Sequence, residues 1–149
     1  MKRTVTVQGL RELDKALGEL TAGAAKGVLR RVGRKALEPV DAAWRSKAPR
    51  DKGTLAASGG IGAKLSRRQR KQHKRESTVE VFAGPGPLAE ATQQEFGNEN
   101  HPPQPFLRPA WDETQDLVLE VVASELGGEI DKAAKRAARR ALRAKAKGS

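Results

Sequence analysis

Apolar positions in the first third of the chain recur every three or four residues, which is the spacing that places side chains on one face of an α-helix. This spacing predicts that most of residues 10–47 is helical. Pro39 is expected to kink or break the long helix, because proline lacks the backbone N–H that an inner helical turn requires. The two stripes are Leu10, Leu13, Leu17 and Leu20, and then Val28, Val32, Ala36, Val40, Ala43 and Trp44.

Alternation of apolar and polar residues predicts three short strands, near 4–8, 54–65 and 77–84. The paired glycines Gly59-Gly60 in the second strand indicate a bulge or a close approach of another backbone segment. The second and third strands would pair as an antiparallel hairpin, and the charged residues between them would form a long basic loop at its tip.

The second half of the chain is divided by prolines and glycines. A short helix is expected at 88–95, followed by an irregular segment, because three prolines between Phe96 and Pro105 prevent a regular ladder or helix. Pro109 is typical of the first residue of a helix, and Gly127-Gly128 is expected to end that helix. We therefore predict an α+β domain over residues 1–128, with a small antiparallel sheet against the two long helices, and a basic helical extension over 129–149.

Composition predicts a thin core. Of the 149 residues, 37% are hydrophobic, but alanine alone accounts for 23 of them. The net charge is +11, and it is unevenly spread: residues 76–126 carry ten acidic and one basic side chain, whereas 64–75 and 127–149 are strongly basic. Opposite blocks of this size favour copies of the chain that attract one another, with further apolar burial between subunits.

Several functional classes find no support in the sequence. There is no cysteine, so disulfides and thiolate chemistry are excluded. The chain has neither an apolar run of about 18 residues nor a signal-peptide pattern, so we expect a protein made in a cytoplasm, without a membrane partner. His73 and His101 lack ligand partners, and Gly84-Pro85-Gly86-Pro87 lacks the ending of a phosphate loop. We expect neither an enzyme nor a cofactor or metal site.

Two basic segments are candidates for contact with DNA or with an acidic protein surface, because clustered cations release counterions from phosphates or pair with carboxylates. The alternative for both is a solvated basic surface without a partner. Neither segment holds an aromatic residue, so stacking on single-stranded bases is unsupported. The first segment provides Arg67, Arg68, Arg70, Lys71, Lys74 and Arg75, and the second provides Arg136, Arg139, Arg140 and Arg143.

One motif is more specific than the rest of the chain. Glu95-Phe96-Gly97-Asn98, followed by residues 101–111 with the sequence HPPQPFLRPAW, resembles the E-F-G-T … P-x-x-P-F-L-R-P-A signature of tail-completion or neck proteins of long-tailed, siphovirus-type bacteriophages. Ala48-Pro49 with 52–55 resembles the family's A-P-x-x-T-G-x-L turn, although Lys-Gly-Thr stands where Thr-Gly is usual. The opening Val5-x-Val7-x-Gly9-Leu10 is also similar, so the resemblance covers residues 5–126.

The resemblance implies a structural virion protein that is assembled in the host bacterial cytoplasm. It would form a ring, most simply a hexamer, between the head connector and the tail tube, around a DNA channel. Neighbouring connector and tail proteins would be partners, with the DNA itself as a further candidate. Proline rigidity suits the motif to subunit or partner anchoring, although Phe106 and Leu107 could instead cover the domain's own sheet. The candidate anchors are Phe96, Pro103, Pro105, Phe106, Leu107, Arg108, Pro109 and Trp111. The alternative function is a nucleic-acid-binding protein that uses residues 67–75 and the C-terminal helix.

Overall fold

The computed structural model describes residues 9–50 and 53–148, so the strand expected near 4–8 lies outside the described residues. The chain is mixed α and β, mostly helical, with one small antiparallel sheet. In chain order the elements are α1 (Leu10–Gly18), α2 (Ala22–Ala36), α3 (Glu38–Lys47), α4 (Thr54–Ala57), β1 (Gly60–Gly62), α5 (Arg67–Gln72), β2 (Phe82–Gly84), α6 (Ala89–Phe96) and α7 (Leu107–Lys147).

The helical prediction for residues 10–47 is confirmed, with two breaks. The first break is at Thr21, whose hydroxyl accepts a hydrogen bond from the backbone N–H of Ala24 and caps α2. The second lies at Leu37, between α2 and α3, with Pro39 in the first turn of α3. Proline at that position costs no hydrogen bond, so the expected break near Pro39 becomes the start of a new helix.

α7 runs without interruption from Leu107 to Lys147 and is about 60 Å long at the rise of an α-helix. Two predictions about it are therefore wrong. The helix begins two residues before Pro109, and Gly127-Gly128 does not end it, so the boundary expected at 128/129 falls within one helix. Tertiary packing outweighs the low helix propensity of the glycines, because Leu126, Ile130 and Ala133 on both sides of them are buried.

The described core lies along α7. Residues Val28 and Val32 of α2 pack with Leu126, Ile130 and Ala133. Leu13, Ala16 and Leu17 of α1 cover the same cluster. Further along, Ala36 and Val40 pack with Val118. Three ion pairs follow the same order: Arg31–Glu129 at 2.9 Å, Lys35–Glu125 at 2.9 Å and Lys47–Glu113 at 2.8 Å. Because partner numbers fall along α7 as they rise along α2 and α3, these two helices are antiparallel to α7.

The sheet is smaller than the sequence predicts. β1 and β2 pair antiparallel with Gly60 opposite Gly84 and Gly62 opposite Phe82. Residues 54–57 are helical instead of extended, and the connection between the strands contains α5 where we expected an irregular loop. The close backbone approach expected at Gly59-Gly60 is confirmed: a Cβ on Gly59 would lie 2.1 Å from the carbonyl oxygen of Gly84.

No helix within residues 9–50 and 53–148 is both long and apolar enough to cross a membrane.

Candidate functional site

The Glu95 carboxylate joins the two halves of the 95–111 motif. Its Oε2 accepts hydrogen bonds from the backbone N–H groups of Phe106 at 2.8 Å and Leu107 at 2.9 Å, and its Oε1 accepts one from Arg108 at 3.0 Å. Glu95 is buried, with 8% of its surface exposed. We call this arrangement the carboxylate lock. It fixes the end of α6 to the start of α7, where an anion is also favoured by the helix dipole.

The lock leaves no unpaired donor at the start of α7. Phe106 occupies the capping position and offers no side-chain hydrogen bond. Glu95, eleven positions earlier in the sequence, therefore provides the hydrogen-bond acceptor that a serine or aspartate at the capping position would provide. The N–H groups of Leu107 and Arg108 are bound by Glu95, Pro109 has no N–H, and the N–H of Ala110 reaches the carbonyl of Phe106 at 3.3 Å. Every backbone donor in the first turn is thus accounted for.

Two opposing effects act on the pKa of Glu95. Burial alone would raise it, since a buried carboxylate loses hydration. The hydrogen bonds from Leu107, Phe106 and Arg108, with the positive charge of Arg108, outweigh burial and hold the pKa below its ordinary value of 4.5. The lock is therefore a bound carboxylate at neutral pH.

The segment between the two halves of the lock is folded tightly. Asn98 and His101 exchange backbone hydrogen bonds of 2.9 and 3.3 Å across a short turn, and the N–H of Gln104 donates to the carbonyl of Gln94 at 2.7 Å. Gly97 has a φ of +75°, and a Cβ there would lie 2.8 Å from the backbone nitrogen of Pro103. Glycine between Phe96 and Asn98 is thus required by both backbone conformation and space.

Phe106 belongs to the chain's own core. It is fully buried, and its ring centroid lies 6.1 Å from that of Trp44. Asp41 positions this partner by accepting the indole N–H of Trp44 at 3.0 Å and the Nε–H of Arg45 at 2.9 Å. The Phe106 side chain is therefore not accessible to a partner, and the prediction that it is an anchor residue is corrected. The side chains buried around it are Trp44, Ala48, Leu55, Ala91 and Ala110.

The other expected anchors divide by exposure. Phe96 is 68% exposed and Trp111 is 45% exposed, unusually high values for side chains of this size. Phe96 directly follows Glu95, Trp111 lies three residues after Arg108, and both aromatics remain accessible to a partner. Leu107 packs against the cluster that contains Phe106, and is only half-buried. Pro103, Pro105 and Arg108 are exposed, and Pro109 is partly buried.

The outer side of the first half of α7 forms a second surface, which we call the acidic face. Two neighbouring helical rows compose it, 112/116/119/123 and 113/117/120/124, and all eight residues are exposed. The rows hold four carboxylates, no cation, and the exposed side chains of Leu117 and Leu119. The carboxylate of Glu113 pairs with Lys47 of the same chain. Part of the acidic block therefore neutralises the chain's own basic helices, a pairing that the sequence did not indicate.

The first basic segment is a short exposed helix. Ser66 and Gln69 form a capping box at its start, with hydrogen bonds of 3.0 and 3.2 Å, and α5 buries no residue. The signal for this helix was in the sequence, since Ser66-x-x-Gln69 is a capping-box pattern. His73 then returns to the hairpin, where its Nε2 lies 2.9 Å from Glu80 Oε2 and its ring meets Phe82 edge-on. The exposed cations are Arg67, Arg68, Arg70, Lys71, Lys74 and Arg75.

A cleft of about 770 Å³ lies between the hairpin with α5 on one side and α6 with the start of α7 on the other. Arg68 and Arg108 reach it from opposite sides, and Phe96 lies at its edge. The cleft thus connects the first basic segment to the lock, which sequence spacing could not indicate.

The second basic segment continues α7 beyond the core. Every residue from 134 to 148 is exposed, including Leu142 at 68%. We call residues 134–147 the basic arm. It contains no acidic residue, and its arginines recur at helical spacing. The structure keeps the two predicted basic segments on separate elements, α5 and α7. The arm's four predicted contact residues are Arg136, Arg139, Arg140 and Arg143.

Comparison of the chain with protein-family models, with curated proteins and with solved structures finds no match. Its function must therefore be inferred from its own residues and geometry.

Proposed function

We propose that this protein is a structural subunit of the neck of a long-tailed bacteriophage, a tail-completion or head–tail joining protein. Copies would form a ring, most simply of six, between the head connector and the tail tube, around the channel through which DNA passes. The protein would act by binding alone and would catalyse no reaction. Neighbouring connector and tail proteins would be its partners, and the virion its final location.

The observation that carries this proposal is the carboxylate lock. In the motif that resembles the neck family, ten residues separate Glu95 from Phe106-Leu107-Arg108. The carboxylate lock brings these two parts of the motif together. Because Glu95 satisfies the start of α7, the Pro-rich segment is held without depending on a partner. A rigid segment loses little conformational entropy when it binds, which suits a ring subunit that must present a fixed surface to two neighbours.

The exposed aromatics support a binding role. Phe96 and Trp111 are large apolar groups close in sequence to the lock residues, and both remain accessible in the single chain. Aromatic side chains at the centre of an interface often supply most of its binding energy. We therefore assign the anchor role to these two residues and leave Phe106 in the core.

The test uses the phage that encodes this chain. A stop codon in its gene should yield filled heads and complete tails that remain separate, as seen by negative-stain electron microscopy. Purified wild-type protein added to that lysate should restore joined particles. The variant with Phe96→Ala and Trp111→Ala should fold yet fail to join them. Gln93→Ala, a change at an exposed site of α6, is the matched control. Infectious, joined particles made without the protein would refute the proposal.

A second candidate function, nucleic-acid binding, is favoured by one observation. The cations of α5 and of the basic arm are exposed, and clustered cations bind phosphates strongly at low salt. A DNA-binding protein would bind duplex DNA without first forming a ring, with an affinity that falls steeply as salt rises. Titration of fluorescent duplex DNA at 50 and 200 mM salt, beside sedimentation of the free protein, separates this function from ring assembly.

A further inference from the structure

The apolar seam that joins α7 to α2 does not stop where α2 stops. Ala133 is buried in the cluster that contains Val28 and Ile130. The same helical row continues at spacings of four, four and three through Ala137, Ala141 and Ala144. These three alanines are exposed, so among the described residues nothing covers this part of the seam.

Cations border the exposed seam. Arg136, Arg140, Arg143 and Lys147 form an adjacent row at spacings of four, three and four, and Leu142 is also exposed. Small side chains allow another helix to approach closely, while the surrounding cations require a partner that carries negative charge. The arm is therefore suited to bind a helix that carries both acidic and apolar side chains.

The acidic face of α7 has these properties. It is itself helical, its two rows hold four carboxylates, and the exposed side chain of Leu119 lies in the same row as Asp112 and Asp116. One chain cannot bring the two surfaces together, because Leu119 and Leu142 lie about 35 Å apart along the same helix. The complementary surface must therefore come from another molecule, and every copy of this chain provides it.

We propose that the basic arm of one copy docks on the acidic face of α7 in a second copy. Carboxylates such as Asp112 and Glu120 would pair with the arm's arginines, and the alanine row would cover Leu119. Such a contact uses different surfaces of the two molecules, so it can continue from copy to copy and close into a ring. The inference rests on the proposed function in that copies associate, and it specifies the surfaces by which they do so.

Disulfide trapping tests the contact directly, because the native chain has no cysteine. The variant with Leu119→Cys and Ala141→Cys cannot close a bond within one helix, since disulfides need Cα atoms within about 7 Å. Mild oxidation should convert most of it into covalent dimers and higher species. Ala141→Cys paired with Thr78→Cys, and Ala141→Cys alone, are controls that should stay largely monomeric on non-reducing gels.

Charge exchange provides the second arm of the experiment. Arg136, Arg140 and Arg143 changed to Glu should weaken self-association about tenfold or more in sedimentation. Asp112 and Glu120 changed to Lys should do the same, and a mixture of the two variants should associate again. The matched control reverses Arg67, Arg70 and Lys71 of α5, and should associate like the wild type.

The outcomes separate the inference from the proposed function. Rings that assemble without the 119–141 cross-link, and tolerate both charge reversals, would overturn the inference while leaving the neck role standing. Cross-linked, charge-dependent dimers of the purified protein, together with particles that join normally without it, would support the contact and refute the neck role. Loss of DNA binding with unchanged self-association in the arm variant would assign the arm to DNA and overturn the inference.

Discussion

A single carboxylate holds the start of α7, and its removal should be costly. Glu95→Gln keeps the size of the side chain but replaces one acceptor oxygen by an N–H donor facing backbone N–H groups. Because hydrogen bonds to a buried charged acceptor are among the stronger ones, we expect a loss of about 2 kcal/mol or more in the free energy of unfolding. Urea titration measures it. Glu99→Gln, at an exposed site in the following loop, should change stability little.

The pH dependence of the same group has a definite sign. Its pKa is lower in the folded chain than the ordinary 4.5, so the carboxylate stabilises the fold above that pH. This contribution is lost as the pH falls from about 4.5 through the folded pKa. The stability difference between wild type and Glu95→Gln should therefore be largest near neutral pH and shrink in acid. A difference that is constant from pH 7 to pH 3 would contradict the lock.

Two phenylalanines of the motif should respond in opposite ways to truncation. Phe106→Ala empties a fully buried site beside Trp44 and should cost about 3–5 kcal/mol. Phe96→Ala removes a mostly exposed ring and should leave the unfolding free energy within about 0.5 kcal/mol, while weakening partner binding. Thermal and urea unfolding of the two variants decide the matter, and equal destabilisation would place Phe96 in a packed site.

Sequence could not tell these two side chains apart. Both lie near prolines, in a stretch without a period of two or 3.6 residues, so neither strand nor helix geometry assigns an inner and an outer side. What buries Phe106 is Trp44, 62 positions away, held in place by Asp41. Nothing in the motif indicates that Glu95 binds the start of α7, and this link appears only once α6 and α7 are adjacent.

Among the elements, α7 is continuous across a glycine pair, which makes Gly128 informative. A Cβ at this position meets no atom within 4 Å. Gly128→Ala should therefore stabilise the protein by about 0.5–1 kcal/mol, since glycine is the poorer helix former. Gly59→Ala is the contrasting variant, because its Cβ would collide with the backbone of Gly84. If Gly128→Ala instead destabilised the protein, α7 would have to bend or end there.

The secondary-structure predictions succeeded where the apolar pattern extends over many residues and failed where it extends over few. The stripes over 10–47 and the later valines locate α2, α3 and α7, since their apolar residues do face one core. The strand expected over 54–65 shrinks to three residues, because Leu55 is buried in a helical turn beside Trp44. α5 was missed because charge dominates its composition, and the glycine pair in α7 misled because local propensity is weaker than packing.

For the whole molecule, the basic arm should contribute to association and not to stability. All its residues are exposed, so a chain that ends after Ala134 should unfold within about 0.5 kcal/mol of the full chain. Its self-association should fall about tenfold or more if the arm docks on the acidic face. Urea unfolding and sedimentation equilibrium at one salt concentration provide both quantities. A large loss of stability would show that the arm packs on its own chain.

Because α7 is continuous, the direction in which the basic arm faces is fixed relative to the core. That direction therefore determines whether neighbouring copies can associate. Each residue inserted between Ala134 and Lys135 turns the arm by about 100° and advances it by about 1.5 Å. Seven inserted alanines and glutamines leave the arm within about 20° of its original direction. Association should survive, with neighbours displaced by about 10 Å. Two inserted residues turn the alanine row by about 200°, away from the acidic face, and should abolish association. If sedimentation shows equal self-association for both insertion variants, the arm is flexibly linked to the core and is not held in a fixed orientation by a continuous helix.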